Sequence, residues 1–438
     1  MYSIDDLHNI DDSFKHHRTL TIFWVGFVVY TIGYTMSITS NPIFMICDLM
    51  RLIGIVLFIG SSFLMLSYKF ENKYLKFFYT VYLTWLLVVV LRGLDLDYEF
   101  LKKTLFNPFS GIFLYFAPLI LLIPKPPLFY KMVFKVILLL TLFYLIHIGL
   151  SFSEMLDHEN AGSRDRLEIF VKTLALSSGF ILLTYSYQPK INKIIAALSL
   201  LLAVFLAVKM ARRGLLFITG VVFIFTFLMF IYSNKQQLIY ILFSIPVGAL
   251  IVGMGYSMLY QSDSLLFKKL KDRATEDTRS GVEEFYYVDM ELKDWLIGRG
   301  MSGLIAAPMG IEEDSKTPGY REGIETDYLN IILKGGILSF GLLLLIAVPA
   351  MFKGFFLSKN SFSKAAAFWI LLWLLSIYPS TVTTFTMNYL LVWISIGICY
   401  SKSIRNMSDE VLKQYFLLTN SEYKKLLQTI KEPTDLTE

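Results

Sequence analysis

The sequence predicts an all-α polytopic membrane protein with about twelve transmembrane helices and one large outer loop between the ninth and the tenth. Three observations carry that prediction. The 438 residues are 55% hydrophobic and only 17% charged, with a mean hydropathy of +0.57, a balance too apolar for a soluble domain. Apolar stretches of about 20 residues, the length that crosses a bilayer, recur along the chain. Residues 260–325 are the one long polar interruption, and a loop of that length is uncommon unless it is functional or disordered.

A short tail, 1–19, precedes the first span. The run 20–39 lacks a small-residue cleavage site, which predicts an uncleaved span and not a removable signal peptide. Spans 49–67, 74–91, 108–123, 130–150, 169–187, 191–210, 214–232 and 238–259 follow, so the first helical block covers 20–259. After the loop, 326–351, 364–380 and 385–400 form a second block over 326–400. Its last two spans are separated only by the turn at Pro379-Ser380-Thr381. In the tail 401–438, Ser408 could cap a helix carrying Val411, Leu412, Tyr415, Phe416 and Leu418, expected to lie on the membrane surface. Cys47 and Cys399 sit inside apolar runs and read as buried small side chains. Asp48 and Arg51, three apart in the second span, predict a structural pair.

Lys and Arg in short loops set the orientation. One alternating set of connections carries Lys69, Lys73 and Lys76, then Lys125, Lys131 and Lys135, then Lys190 and Lys193, then Lys353, Lys359 and Lys364. The other set holds Asp95, Asp97 and Glu99, then Glu154, Asp157 and Glu159. Both termini are therefore expected in the cytoplasm and 260–325 on the outer face of the plasma membrane. The net charge of +5 is modest and resides in these short loops, so nucleic acid is not an expected partner. The five histidines are scattered, so no metal is expected, and no cofactor. No internal repeat of the kind common in secondary transporters is visible.

Against this orientation, Lys209, Arg212 and Arg213 crowd one outer turn between two spans. Arginine forks match phosphate oxygens, so the turn is a candidate anion site, with snorkelling to lipid headgroups as the plainer alternative. In the large loop, Ser280-Gly281-Val282-Glu283 spells a capping box. Phe285, Val288, Leu292, Trp295 and Leu296 then recur at helical spacing, predicting one helix with its apolar face on the membrane domain. Arg279 precedes that helix and is a candidate anion ligand, or else an ion pair with a nearby acid such as Asp277. The helix is expected to end at Gly298-Arg299-Gly300. Beyond Arg321, Glu325 stands at the mouth of the tenth span as a candidate proton acceptor, or a helix-start acid. Asp327, Asn330 or Ile331, and Lys334 fall near one face of that span. A lysine about two turns into a membrane helix is a functional candidate by default, with a structural pair to Asp327 or to another helix as the alternative. Gly335-Gly336 permits a close helix approach or a bend.

The ordered set Ala211-Arg212-Arg213-Gly214, Thr278-Arg279-Ser280, Ile297-Gly298-Arg299-Gly300, Glu325-Thr326-Asp327-Tyr328-Leu329 and Gly335-Gly336 resembles the O-antigen polymerase and O-antigen ligase superfamily of bacterial membrane glycosyltransferases. It covers the second half of the chain; the first half matches only as a hydropathy profile. The resemblance implies a bacterial inner-membrane enzyme that polymerises undecaprenyl-pyrophosphate-linked oligosaccharide units into a surface polysaccharide without metal or cofactor. It implies that Arg212 or Arg213 and Arg279 bind the pyrophosphate, with Lys209 beside them. Arg299, Arg321, Asp327, Asn330 and Lys334 would line the site. The implied partners are the lipid-linked oligosaccharide, membrane lipids and, as accessory proteins, a chain-length regulator and a flippase. Ligases of the superfamily place a histidine where this chain has Glu325, so a glycan ligase is the second reading and a polysaccharide flippase the third.

Overall fold

A backbone in lipid has no water to bond, so each apolar stretch must close its hydrogen bonds internally as helix. The computed structural model describes residues 17–38, 44–125, 127–152, 161–233, 280–306 and 319–417. The predicted ninth span, Arg279, the loop before residue 280, the N-terminal tail to residue 16 and the tail after 417 lie outside the described residues.

Among the described residues, seven helices are long and apolar enough to cross a membrane. They are α1 (His17–Ser37), α2 (Phe44–Met65), α3 (Lys73–Gly93), α6 (Pro127–Leu150), α9 (Lys190–Lys209), α10 (Arg213–Ser233) and α13 (Asp327–Phe356). Helices α4 (Tyr98–Phe106) and α5 (Phe113–Phe116, continued as a 3-10 helix over Ala117–Leu122) fall between α3 and α6. Helices α14 (Ser361–Ser376) and α15 (Met387–Tyr400) are apolar but shorter. Among the described residues the chain is thus built of helices, apart from one two-residue antiparallel bridge, β1 (Ile305–Ala306) with β2 (Tyr320–Arg321), in the register Ile305↔Arg321.

Helices α1 and α2 form a hairpin whose backbones nearly touch: a Cβ at Gly54 would lie 2.6 Å from the Tyr30 nitrogen. The core continues through an aromatic cluster in which Tyr30, Phe58, Phe113 and Phe385 meet, mostly edge to face.

The predicted sixth span is not one helix. It comprises α7 (Ala161–Phe170), a π-helical turn (Val171–Ala175), α8 (Ser178–Leu183) and a 3-10 turn (Tyr185–Tyr187). In the π turn Leu176 donates to Val171 O, and the Lys172 carbonyl is taken by the Asn388 side-chain amide. The α ladder therefore breaks where a buried lysine and an outside donor meet.

The predicted loop helix also divides, into α11 (Ser280–Asp289) and α12 (Leu292–Ile297). Most of its expected buried face is exposed: Phe285, Val288, Leu292 and Leu296 are open, while Trp295 of that face packs as expected, beside Tyr286 and Met290, on Leu329, Ile332 and Leu333 of α13. The break is set by Asp289, whose carboxylate and carbonyl both accept from Arg299.

The tail helices α16 (Lys402–Asn406) and α17 (Asp409–Leu417) dock into the bundle and do not lie free on a surface. Leu412 and Phe416 are buried, Phe416 against Phe134, Tyr187 and Phe362. Asp409 accepts from Tyr187 and, at 2.7 Å, from the Ser361 amide, and the Asn360 amide donates to Ile404 O and Met407 O. Cys47 and Cys399 are buried free thiols, and Arg51 pairs with Asp48 as expected.

Candidate functional site

The site forms where α13 begins. Thr326 takes the N-cap position, and its hydroxyl donates to Glu283 of α11, so this acid braces α13. Asp327 is 1% exposed; its carboxylate accepts from the Thr383 amide at 2.7 Å and the Val382 amide at 3.2 Å. A buried carboxylate so bonded fixes the 377–386 connection over the end of α13. Asn330 performs the same service on the other side: its oxygen accepts from Ile324 N at 2.8 Å, and its amide donates to Ile324 O at 2.5 Å. Together Asp327 and Asn330 shape the two segments that wall a cavity of about 350 Å³.

That cavity gathers five of the predicted site residues: Arg321, Glu325, Asp327, Asn330 and Lys334. Tyr82, Tyr115 and Tyr389 add hydroxyl-bearing aromatic walls, and Leu86, Leu114 and Leu343 an apolar floor. Lys334 donates to Gly303 O at 2.7 Å, and its ammonium carries three donors. It does not pair with Asp327 there. Glu325 is exposed at the rim of the cavity.

Helix α13 is discontinuous. Gly336 has φ 71°, and a Cβ there would strike the Leu296 carbonyl. The break frees the carbonyls of Leu333 and Lys334, which accept from Arg299 N at 2.7 Å and Gly300 N at 2.9 Å. Residues 297–303 thus wedge between α3 and α13. Arg92 holds the wedge from α3, donating to the Ile297 and Gly298 carbonyls at 2.7 Å each, and Met301 N donates to Val89 O. The bent helix presents Lys334 to the cavity.

Arg299 is a strut and not a cavity residue. Its guanidinium donates to Asp289, Asp294 and the Leu304 and Asp289 carbonyls. Burial works against its charge, but the hydrogen bonds and charges of Asp289 and Asp294 outweigh that and hold it above its ordinary range.

The Lys209–Arg213 turn stands one segment away. A Cβ at Gly214 would lie 3.0 Å from Pro379 O, and Thr381 and Thr383 of that same connection line the cavity. The turn closes α9 with a Schellman pair, Arg212 N to Ala207 O and Ala211 N to Val208 O. Ala211 consequently sits at φ 52°, where glycine is usual. Arg213 is exposed and Lys209 half-buried. Arg212 is held by two acids of α7, Asp165 and, at 3.0 Å, Glu168. Glu168 also bonds the buried Lys172 at 2.6 Å, and Lys172 in turn interacts electrostatically with Asp327. Sequence reasoning passed over this chain of charges. The rule that drew attention to Lys334 applies equally to Lys172, a lysine inside an apolar stretch with an acid four residues before it. Arg279 lies outside the described residues.

In comparison with known proteins, no family model, no curated protein and no solved structure matches the chain.

Proposed function

We propose that the protein is a membrane glycosyltransferase that joins undecaprenyl-pyrophosphate-linked oligosaccharide units into a surface polysaccharide on the outer face of the bacterial inner membrane. In this reading the chain crosses the bilayer about twelve times with both termini in the cytoplasm. The cavity at the mouth of α13 and the Lys209–Arg213 turn then face the exterior. The observation that carries the reading is that one cavity combines carboxylates, an amide, two cations and three tyrosines, with an arginine turn one segment away. Sugars are held by such mixtures of polar groups and aromatic faces, and pyrophosphate by arginine forks.

The reaction this site suits is direct transfer. The acceptor sugar hydroxyl attacks the anomeric carbon of the donor. The carbon–oxygen bond to pyrophosphate breaks, and its electron pair leaves on the phosphate oxygen. Fixed cations stabilise that charge, a role suited to Arg213, Arg279 and Lys334. The hydroxyl proton passes to a carboxylate, for which Glu325 at the rim is the candidate.

Replacing Arg213 or Arg279 by alanine should abolish long polymer in cells while the protein still inserts, read as polymer ladders on a gel. Glu325→Gln should slow transfer more than it weakens donor binding. Normal ladders in both arginine variants would exclude the reading. A deletion strain separates this reading from the ligase: single lipid-linked repeats should accumulate, whereas loss of a ligase would leave long lipid-linked chains.

A further inference from the structure

Glu168 is placed where a ligand would be. One of its carboxylate oxygens lies 2.6 Å from the Lys172 ammonium, and the other 3.0 Å from Arg212. The lysine side chain is 7% exposed and sits in the π-helical turn. The arginine is delivered by a turn that holds Ala211 in the left-handed region. Two cations brought to one carboxylate by two irregular backbone segments, one of them a buried lysine, are costly unless an anion sits between them. Here the chain's own carboxylate does. A carboxylate bridging a guanidinium and an ammonium copies the arrangement of a phosphate group on the same pair. The guanidinium is also incompletely used: Arg212 Nε is buried and donates to nothing among the described residues. Asp165, 68% exposed, covers one of its other nitrogens from the solvent side.

We propose that Arg212 and Lys172 form a phosphate-class anion site whose resting occupant is the Glu168 carboxylate. The incoming group displaces Glu168, and Asp165 with it, and takes the unused Arg212 donor. The site is thereby self-occupied at rest and opens only to an anion carrying more charge or more acceptor oxygens than a carboxylate. This deepens the proposed function and rests on it for the identity of the natural ligand, the pyrophosphate of a lipid-linked donor. The anion site itself is tested independently.

The test is binding of inorganic pyrophosphate, and in a parallel arm of a polyprenyl pyrophosphate, to the full-length protein in detergent by calorimetry. Glu168→Gln removes the competing charge and should tighten pyrophosphate about tenfold. Asp165→Asn, an exposed change that leaves the buried pair intact, should tighten it severalfold. Adding Lys172→Met to Glu168→Gln should remove the gain. A gain in both arms assigns the site to the pyrophosphate group itself, and a gain only with the polyprenyl form assigns it to the lipid-linked source. Unchanged or weaker binding in folded Glu168→Gln and Asp165→Asn proteins, in both arms, overturns the proposal. So does a gain that survives loss of Lys172. Should the anion bind as described while no polymer is ever made, the functional reading falls and the anion site stands. Should polymer be made while Glu168→Gln leaves binding untouched, the reverse holds.

Discussion

At the scale of single residues, Asp327 organises the site by what it holds and not by what it touches in a substrate. Its carboxylate receives the Val382 and Thr383 amides while almost fully buried. Removing it leaves two amides unsatisfied, which costs about 1–3 kcal/mol each at most. Asp327→Ala should therefore lower thermal stability in detergent clearly, whereas Glu325→Ala at the exposed rim should leave it nearly unchanged. Equal losses in both would deny Asp327 its role. Lys125, in the connection between α5 and α6, gives a second residue-scale test. Burial pushes it down from the ordinary 10.5 to about 7, although its ammonium donates to the Leu121 and Ile123 carbonyls. A lysine held lower in the fold than in the open chain binds fewer protons folded than unfolded across that interval. The fold then gains stability as pH rises from about 7 towards 10.5, and the penalty is fully present below 7. Lys125→Met should flatten the rise of unfolding temperature over that window.

At the scale of elements, irregular backbone marks every structure that shapes the site. The break at Gly336 exists because residues 299–300 supply the amides that the missing helical turn would have supplied. Any side chain at 336 meets the Leu296 carbonyl, and the left-handed backbone costs an L-residue about 1–2 kcal/mol more. Gly336→Ala should thus lower the unfolding temperature and detach 297–303, detectable as faster proteolysis. Ala211→Gly should do the opposite and stabilise by about 0.5–1 kcal/mol, since the Schellman turn already places that residue at positive φ. Sequence showed part of this. Gly335-Gly336 announced a bend or a close helix approach, and Gly298-Arg299-Gly300 a helix end. That the second plugs the first could not be read, because the match lies in freed carbonyls meeting amides more than thirty residues away. The loop helix differs from its expected face for a related reason: Asp289 answers Arg299, and periodicity reads apolar spacing, not the side-chain-to-side-chain bond that divides the helix.

At the scale of the whole molecule, the seven long apolar helices were legible because twenty apolar residues must be helical in lipid, whatever their neighbours. The sixth stretch was legible as apolar but not as broken, since its π turn depends on Asn388 from α15. Of the candidate site, the residues on α13 were legible because a charge two turns into an apolar helix is conspicuous. Arg321, Glu325, Asp327, Asn330 and Lys334 indeed share one cavity, while Arg299 serves as a strut and Arg212 lies in a separate charge cluster. That partition separates a cavity of mixed polar and aromatic lining from a cluster of cations and acids at the arginine turn, with the 377–386 connection beside both.

The most direct test supplies purified protein in detergent with one defined polyprenyl-pyrophosphate-linked repeat unit, no added metal, and sizes the product. The account predicts a ladder of multiples of that unit with release of polyprenyl pyrophosphate, lost in the Arg213→Ala protein. Repeat units recovered at their starting length, from protein that binds them, would contradict it.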